Sequence, residues 1–492
     1  MPERATAMSR SKESAAAVVG DASRQRAKRV EQRRDVSLGA ARHQKPGEPG
    51  RAGARAGEAG QEAASDEVVL ARHSQTNCGA DDLLGQALAR ENVGRAWKRV
   101  KANKGSAGVD GRTVQDTAEY LKLAWPDIRQ RLLDGTYKPE PVRRVGLPKP
   151  GGGTRELGIP TVTDRLIQQA LLQVLQPLID PTFSAHSYGF RPRRSAHQAV
   201  LAAKAHVEAG YRTVVDVDLE KFFDRVNHDI LMDRLAKRIA DKRMLRLVRR
   251  YLQAGILKDG VCIERHEGTP QGGPLSPLLA NVLLDEVDRE LERRGHRFVR
   301  YADDCNVYVR SRRTGARVLE ALRDCYARLA LKVNESKTAV GPVWGRKFLG
   351  YCFYAGARRH VHCSVAREAL ARLRERLRRL TGRQRGRSLN QVVEDLQAYV
   401  PGWKAYFHLA PNVAVRRELD EWLRHRLRAV QLKHWNSGPT VYRELRRLGA
   451  AETVARAAAA NARRWWHNSA ASALNRVLSV AYFDSLGVPR FS

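Results

Sequence analysis

Alternation of apolar and polar positions is cleanest between Thr213 and Leu219. Val214, Asp216 and Asp218 fall on one side of an extended chain, and Val215, Val217 and Leu219 fall on the other. The pattern predicts a strand with an apolar face and a second face that ends in carboxylates. Two further β-patterned runs flank "YADD", Tyr301 to Asp304, and predict a hairpin with Asp303 and Asp304 at or beside its turn. Around these strands the period changes to three and four residues. Helices are predicted from Leu83 to Lys101, from Asp164 to about Leu178 with Thr163 as N-cap, from about His228 to Leu252, and from Pro277 to about Arg294. Short extended runs broken by glycine and proline, "YKPEPVRRVGLPKPGGGTRELGIP", and a strand-like "GVCIE" lie between them.

After "KFLGYCFY" the pattern becomes helical. In "REALARLRERLRRLTGRQRGRS" the residues Leu373, Leu377 and Leu380 form one stripe, and arginines fill the remaining faces. A mixed α/β (α+β) core followed by an all-helical module is therefore expected. Apolar periodicity is missing from residues 1–78, and the first aromatic residue of the chain is Trp97. Such a segment buries too little apolar surface to offset its ordering entropy, so a disordered basic leader is expected there.

Charge narrows the class of partner. Among 492 residues, 88 Lys and Arg face 53 Asp and Glu, a formal net charge of +35. That excess points to nucleic acid before an acidic membrane surface. No run of 18 apolar residues is present to span a bilayer, and the N-terminus lacks the apolar stretch of a secretory signal. The six cysteines form no C-x-x-C pair, and "HVHC" at His360 to Cys363 has no second ligand pair beside it. Reduced thiols in a cytoplasmic protein are expected, without a disulfide framework or a zinc site.

Against this background the paired carboxylates raise a chemical question. Two like charges ~4 Å apart repel by roughly 4 kcal/mol at an effective dielectric of ~20. Asp303 and Asp304 are either a polar turn or the ligands of a bound cation, and hard carboxylate oxygens suit Mg²⁺. Phosphoryl transfer between nucleotides uses two metals about 3.5–4 Å apart, held by carboxylates that converge from separate strands. The strand ending at Asp218 supplies the second source. Geometry alone also admits Asp216, two residues earlier on the same face.

"VDLEKFFDRVNH", "GTPQGGPLSPLLANVLLDEVD", "RYADD", "LKVNESKTAV" and "FLGYCF" follow one another in the order and spacing of reverse-transcriptase motifs. From about Leu83 onward the chain resembles the group II intron-encoded reverse transcriptase/maturase family. That resemblance implies a right-hand polymerase fold with fingers and palm over residues 79–355 and a helical thumb/maturase (X) domain over 356–445. It implies that Asp218, Asp303 and Asp304 hold two Mg²⁺ ions, with the carbonyl of Leu219 as a further ligand. The family's metal carboxylate stands at an Asp-Leu step, which selects Asp218 over Asp216. Phe223 matches the aromatic wall that favours dNTPs by crowding a 2′-OH. Gln271 matches a nucleotide-pocket glutamine, whose neighbouring glycines allow close backbone approach to the incoming base pair. Lys149 and Arg155, either side of "PGGG", match fingers residues that close over a triphosphate, and Lys337 matches a lysine near the leaving pyrophosphate.

"LNQVVEDLQAYVPGWKAYFHLA" resembles the maturase domain, with Trp403, Tyr406 and Phe407 expected in its core. Arg372, Arg374, Arg376, Arg378 and Arg379 are the candidate RNA-binding residues, the bland reading being a solvated charged face. Residues 446–492 read as a basic C-terminal segment without the paired-cysteine endonuclease domain that many of the family carry. The implied partners are group II intron RNA, a DNA target site and dNTPs, with no membrane and with nucleoid association when target DNA is bound.

Overall fold

The computed structural model describes residues 82–148, 154–258, 261–263, 265–270, 272–356, 360–383 and 386–492. The expected leader, Lys149, Gln271 and the side chain of Arg155 lie outside the described residues. The described chain forms two compact units, one of residues 82–206 and 210–341, the other of 342–492 with 207–209.

The first unit holds two four-stranded sheets. In one, β1 (Val142–Pro148), β2 (Thr154–Ile159), β4 (Ile256–Lys258) and β5 (Val261–Ile263) take the order β2-β1-β4-β5. In the other, β3 (Thr213–Val217), β6 (Arg297–Tyr301), β7 (Asp304–Val309) and β8 (Ala339–Pro342) take the order β6-β7-β3-β8. Val215, Val217 and Leu219 are buried as the alternation predicts, and they share one core with Phe298, Val307 and the helices.

A helix spans Ser276–Arg293 through the middle of that core. Leu278, Leu279, Val282, Leu283, Val287 and Leu291 are all buried, and so are Asn281, Asp285 and Asp288. These three polar residues sit at i, i+4 and i+7, so they make one buried stripe among the apolar positions, while Arg289 and Arg293 near the end of the helix are exposed. Buried polar groups are costly without partners. Asn281 and Asp288 both bind Arg300, and Asp285 binds Arg238 and the Ser184 amide. Truncating a leucine of this core to alanine removes packing worth about 2–5 kcal/mol.

Three element predictions need correction. The helix expected over Leu83 to Lys101 is two helices, Leu83–Ala87 and Arg90–Ala102, because Asn92 turns its amide onto the carbonyl of Ala87 (2.8 Å) and Ala89 is extended. The helix expected over His228 to Leu252 also divides, into His228–Ala236 and Lys242–Gln253, where Asp241 caps the second by accepting from the amides of Arg243 and Met244. The helix expected from Asp164 begins earlier, as Val162–Ile179, and its N-cap is Thr161 rather than Thr163. Thr161 is the residue with an acidic side chain three positions on: it accepts from the Asp164 amide at 3.1 Å and donates its hydroxyl to Asp164 Oδ2 at 2.8 Å.

The second unit is helical apart from the small sheet β9 (Lys347–Phe348), β10 (Tyr351–Ala355) and β11 (Val361–Val365). The arginine-rich helix spans Arg367–Leu380 and buries Leu373, Leu377 and Leu380, the predicted stripe. One core gathers these with Leu396, Leu419, Leu445, Leu478, Phe483 and Phe491. Phe407 is buried and Trp403 packs on it at 4.8 Å, with the edge of Phe491 5.5 Å away. Tyr406 is partly exposed, its hydroxyl donating to the carbonyl of Leu349 at 2.8 Å.

Candidate active site

The site is built by register. β3 and β7 pair antiparallel with Asp216 opposite Asn306 and Val217 opposite Cys305. One residue further, the same register brings Asp218 level with Asp304. β6 pairs Tyr301 with Asp304, so Ala302 and Asp303 are the two central residues of the hairpin turn. Ala302 has φ +59°, the conformation a two-residue hairpin requires and which glycine adopts at less cost. The sequence therefore brings Asp218, Asp303 and Asp304 to one end of one sheet. Asp216 stands two pairs back, where the Asn306 amide in its satisfied orientation donates to Asp216 Oδ1 at 2.9 Å.

Asp218 is anchored through both its side chain and its backbone. Its carboxylate oxygen Oδ2 accepts from Asn334 Nδ2 at 3.1 Å and lies 3.2 Å from Lys337 Nζ. Its own amide donates to Thr338 Oγ1 at 3.2 Å, and its carbonyl accepts from the Asn334 amide at 2.8 Å. Leu219 forms an isolated antiparallel bridge with Val333. The segment Val333 to Thr338 thus runs beside the end of β3 and fixes it. Lys337 is legible in "NESKT"; Asn334 and Thr338, in the same motif, escape sequence reasoning. Their signal is the run of four polar side chains around a lysine within five residues, Asn334 to Thr338.

Asp303 is half-buried and Asp304 exposed. The three backbones meet, but the side chains do not close on one point: among the described residues no three His, Cys, Asp or Glu side chains form a metal-holding group. The backbone register of the hydrogen-bonded ladder places the three carboxylates at the same end of the sheet. All three donors are hard oxygens, which is the donor set Mg²⁺ prefers over softer metals.

The surrounding positions divide. Phe222 is buried in the core, whereas Phe223 is half-buried, its ring edge-on to Phe222 at 5.0 Å. The carbonyl of Phe223 accepts from the Thr269 amide at 2.7 Å, which ties it to the "GTP" stretch. The glycines after Gln271 make close approaches, but to the chain itself: at Gly272 (φ +136°) a Cβ would stand 2.7 Å from the carbonyl oxygen of Gly158. Arg155 belongs to β2, paired with Leu147 of β1.

Far from this sheet in sequence, the arginine-rich helix is less uniform than its composition. Arg374 pairs with Glu418 at 2.6 Å and Arg379 with Glu375 at 3.8 Å. Arg376 lies over the ring of Tyr399 and Arg378 over that of Trp422. Arg372, Arg378 and Arg379 are exposed. No helix among the described residues is long and apolar enough to cross a membrane.

Comparison with known proteins agrees with this architecture. Residues 147–353 match the family model of the reverse transcriptase (RNA-dependent DNA polymerase), and residues 370–449 match the group II intron maturase-specific domain. Protein YkfC of Escherichia coli K12 is 40% identical over 218 residues, 43% of this chain and 57% of that protein. The group II intron-encoded protein LtrA of Lactococcus lactis subsp. cremoris is 40% identical over 196 residues, 39% of this chain and 32% of that protein. The chain thus spans less than two thirds of the length of either relative. A partial Cas6-RT-Cas1–Cas2 complex matches with a TM-score of 0.33 at 23% identity, over 49% of this chain and 42% of that one. The mixed unit has the fingers and palm of a polymerase, and a helical module follows it. With a reverse transcriptase domain built around the YADD hairpin and a maturase-specific domain after it, the chain belongs to the group II intron-encoded reverse transcriptase/maturase family.

Proposed function

We propose that this protein is an RNA-directed DNA polymerase that also binds the RNA of a group II intron, assists its splicing, and copies it into DNA at a target site. The observation that carries the reading is the register that brings Asp218 level with Asp304 beside the strained turn at Ala302 and Asp303. Asp218, Asp303 and Asp304 would hold two Mg²⁺ ions, with the Leu219 carbonyl as a further ligand. When bound, the metals lower the pKa of the primer 3′-hydroxyl and neutralise charge on the triphosphate.

The protein's own residues supply position and charge. Asn334 and Thr338 keep the end of β3 in place, so that Asp218 meets the turn without rearranging the backbone. Lys337, with its side chain mostly exposed beside Asp218, reaches toward the leaving pyrophosphate. Phe223 crowds a ribose 2′-OH and so selects dNTPs. Lys149 and Arg155 hold the triphosphate, and Gln271 lines the nucleotide pocket. The arginines from Arg372 to Arg379 clamp the phosphate backbone of the folded RNA.

Primer extension on an RNA template tests the reading. Asp303→Ala and Asp304→Ala are expected to abolish Mg²⁺-dependent DNA synthesis and to leave RNA affinity within a few fold of the parent. Full extension by the purified Asp303→Ala protein would remove the metal assignment.

A further inference from the structure

Arg300, the residue two before the turn alanine of the YADD hairpin, is fully buried. Its Nε donates to Asp288 Oδ1 at 2.8 Å, and its Nη1 donates both to Asn281 Oδ1 at 2.8 Å and to the carbonyl oxygen of Ala302 at 2.9 Å. Asn281 in turn donates to the carbonyl of Gly189 at 2.9 Å. Gly189 lies directly against the turn, because a Cβ there would fall on the backbone nitrogen of Ala302. The segment leading to Gly189 runs beside β6: the Arg300 amide donates to His186 O at 3.0 Å, and the Tyr188 amide donates to Arg300 O at 2.9 Å. Asp285, on the same helical stripe, holds the far end of that segment by accepting from the Ser184 amide at 3.0 Å.

We infer that Asn281, Asp288 and Arg300 are positioning residues for metal binding: together they clamp the hairpin turn with Ala302 in its left-handed conformation and so set the direction of the Asp303 and Asp304 carboxylates. The inference rests on the reading above that these carboxylates hold the metal. Its physical basis is that an alanine at φ +59° relaxes unless the surroundings over-determine it. Here the carbonyl of that alanine is held by a buried guanidinium whose other donors are already committed to Asp288 and Asn281. A planar, forked donor makes these bonds together; an ammonium does not. The stripe does not touch substrate. It acts through the turn, as partners of metal ligands do when they fix ligand orientation.

The test is Mn²⁺ binding to the full chain, followed by electron paramagnetic resonance of the free ion, with melting temperature and primer–template affinity measured in parallel. Asn281→Ala leaves the Arg300–Asp288 pair in place, and Arg300→Lys keeps the charge but loses the fork. Both are expected to weaken Mn²⁺ binding roughly 10- to 100-fold and to leave primer–template affinity near the parent value. Asp285→Asn is the control, because it loosens Ser184 and Arg238 without touching the turn. It is expected to lower the melting temperature and to leave Mn²⁺ binding unchanged. Parent-like Mn²⁺ binding by a folded Asn281→Ala protein overturns the clamp. So does equal weakening by Asp285→Asn, or an Asn281→Ala chain that does not fold, since each makes the stripe a general folding element. If Asp303→Ala itself leaves Mn²⁺ binding intact, the metal reading fails first, and that result is distinct from the others.

Discussion

Lys337 places its ammonium nitrogen 3.2 Å from Asp218 Oδ2, the oxygen that also accepts from Asn334. The lysine side chain is 66% exposed and the aspartate side chain 31% exposed, so the pair lies at the surface of the palm. Exposed pairs of this kind contribute about 0–1 kcal/mol to stability. The lysine is therefore poorly explained as a folding device and well explained as a charge beside the reacting phosphates. Lys337→Met is expected to shift the melting temperature little and to slow single-nucleotide addition by about 100-fold, the scale of removing one preorganised charge from a transition state. Rapid-quench kinetics beside a thermal melt separates the two. An unchanged rate with a large loss of stability would assign Lys337 to structure instead.

Phe223 offers a test of sugar selection. The ring is half-buried and its backbone carbonyl is fixed by the Thr269 amide at 2.7 Å, so truncation opens space beside the site without freeing the chain. Phe223→Ala is expected to raise ribonucleotide incorporation relative to dNTPs in single-nucleotide extension. The stability loss should fall below the roughly 3–5 kcal/mol of a fully buried phenylalanine. Unchanged discrimination would return Phe223 to the core, where Phe222 already lies.

Asp164 gives the fold a pH dependence of defined sign. Burial raises its carboxyl from 3.8 to about 6, opposed by hydrogen bonds from Thr161, Tyr137, the Glu140 amide and Tyr251. The folded state then holds a proton that the unfolded chain releases between the two values. Its contribution to stability is fully present below the unfolded pKa and is lost as pH rises through about 6. Two pKa units correspond to roughly 3 kcal/mol. In urea titrations spanning both values, Asp164→Asn should remove this component, so the variant gains on the parent as pH rises. A stability difference that stays constant over that window would show that Asp164 does not titrate there.

What the sequence made legible follows from the range of the interactions involved. Strand β3 and the hairpin were readable because a side-chain period of two is local, and the faces it assigns hold for Val215, Val217 and Leu219. The stripe of Leu373, Leu377 and Leu380 was readable because a helical period is equally local. Helix ends were not, because the side chains of Asn92, Asp241 and Thr161 bind nearby backbone that a periodic pattern ignores. The partners of Arg300 were invisible in a different way. Asn281, Asp285 and Asp288 stand out as a polar i, i+4, i+7 stripe only once that face of the helix is known to be buried. The pairing of Asn281 with Gly189 and of Asp285 with Ser184 joins segments that lie far apart in the chain.

The arginine-rich helix allows a graded prediction about RNA. Arg374 is paired with Glu418 at 2.6 Å, so a phosphate must compete with an existing carboxylate for it. Arg378 is exposed and lies over the ring of Trp422, and Arg372 is exposed as well. Each arginine that neutralises a phosphate releases condensed counterions, and the slope of log affinity against log salt falls by about 0.7–0.9 for each phosphate left without its cation. Arg372→Gln and Arg378→Gln are therefore each expected to weaken intron RNA binding and to flatten the slope by about that amount. Arg374→Gln should flatten it less, because its charge is already offset by Glu418. Helix propensity barely differs between Arg and Gln, so circular dichroism should show all three variants folded. The Asp303→Ala, Asp304→Ala double variant should keep the full slope and still promote splicing at low Mg²⁺, since RNA clamping does not use those carboxylates. If Arg374→Gln moves the slope as far as Arg378→Gln, the Glu418 pair opens in the complex and the face binds as one surface. If none of the three moves it, the RNA clamp lies on other residues and this helix is a solvated face.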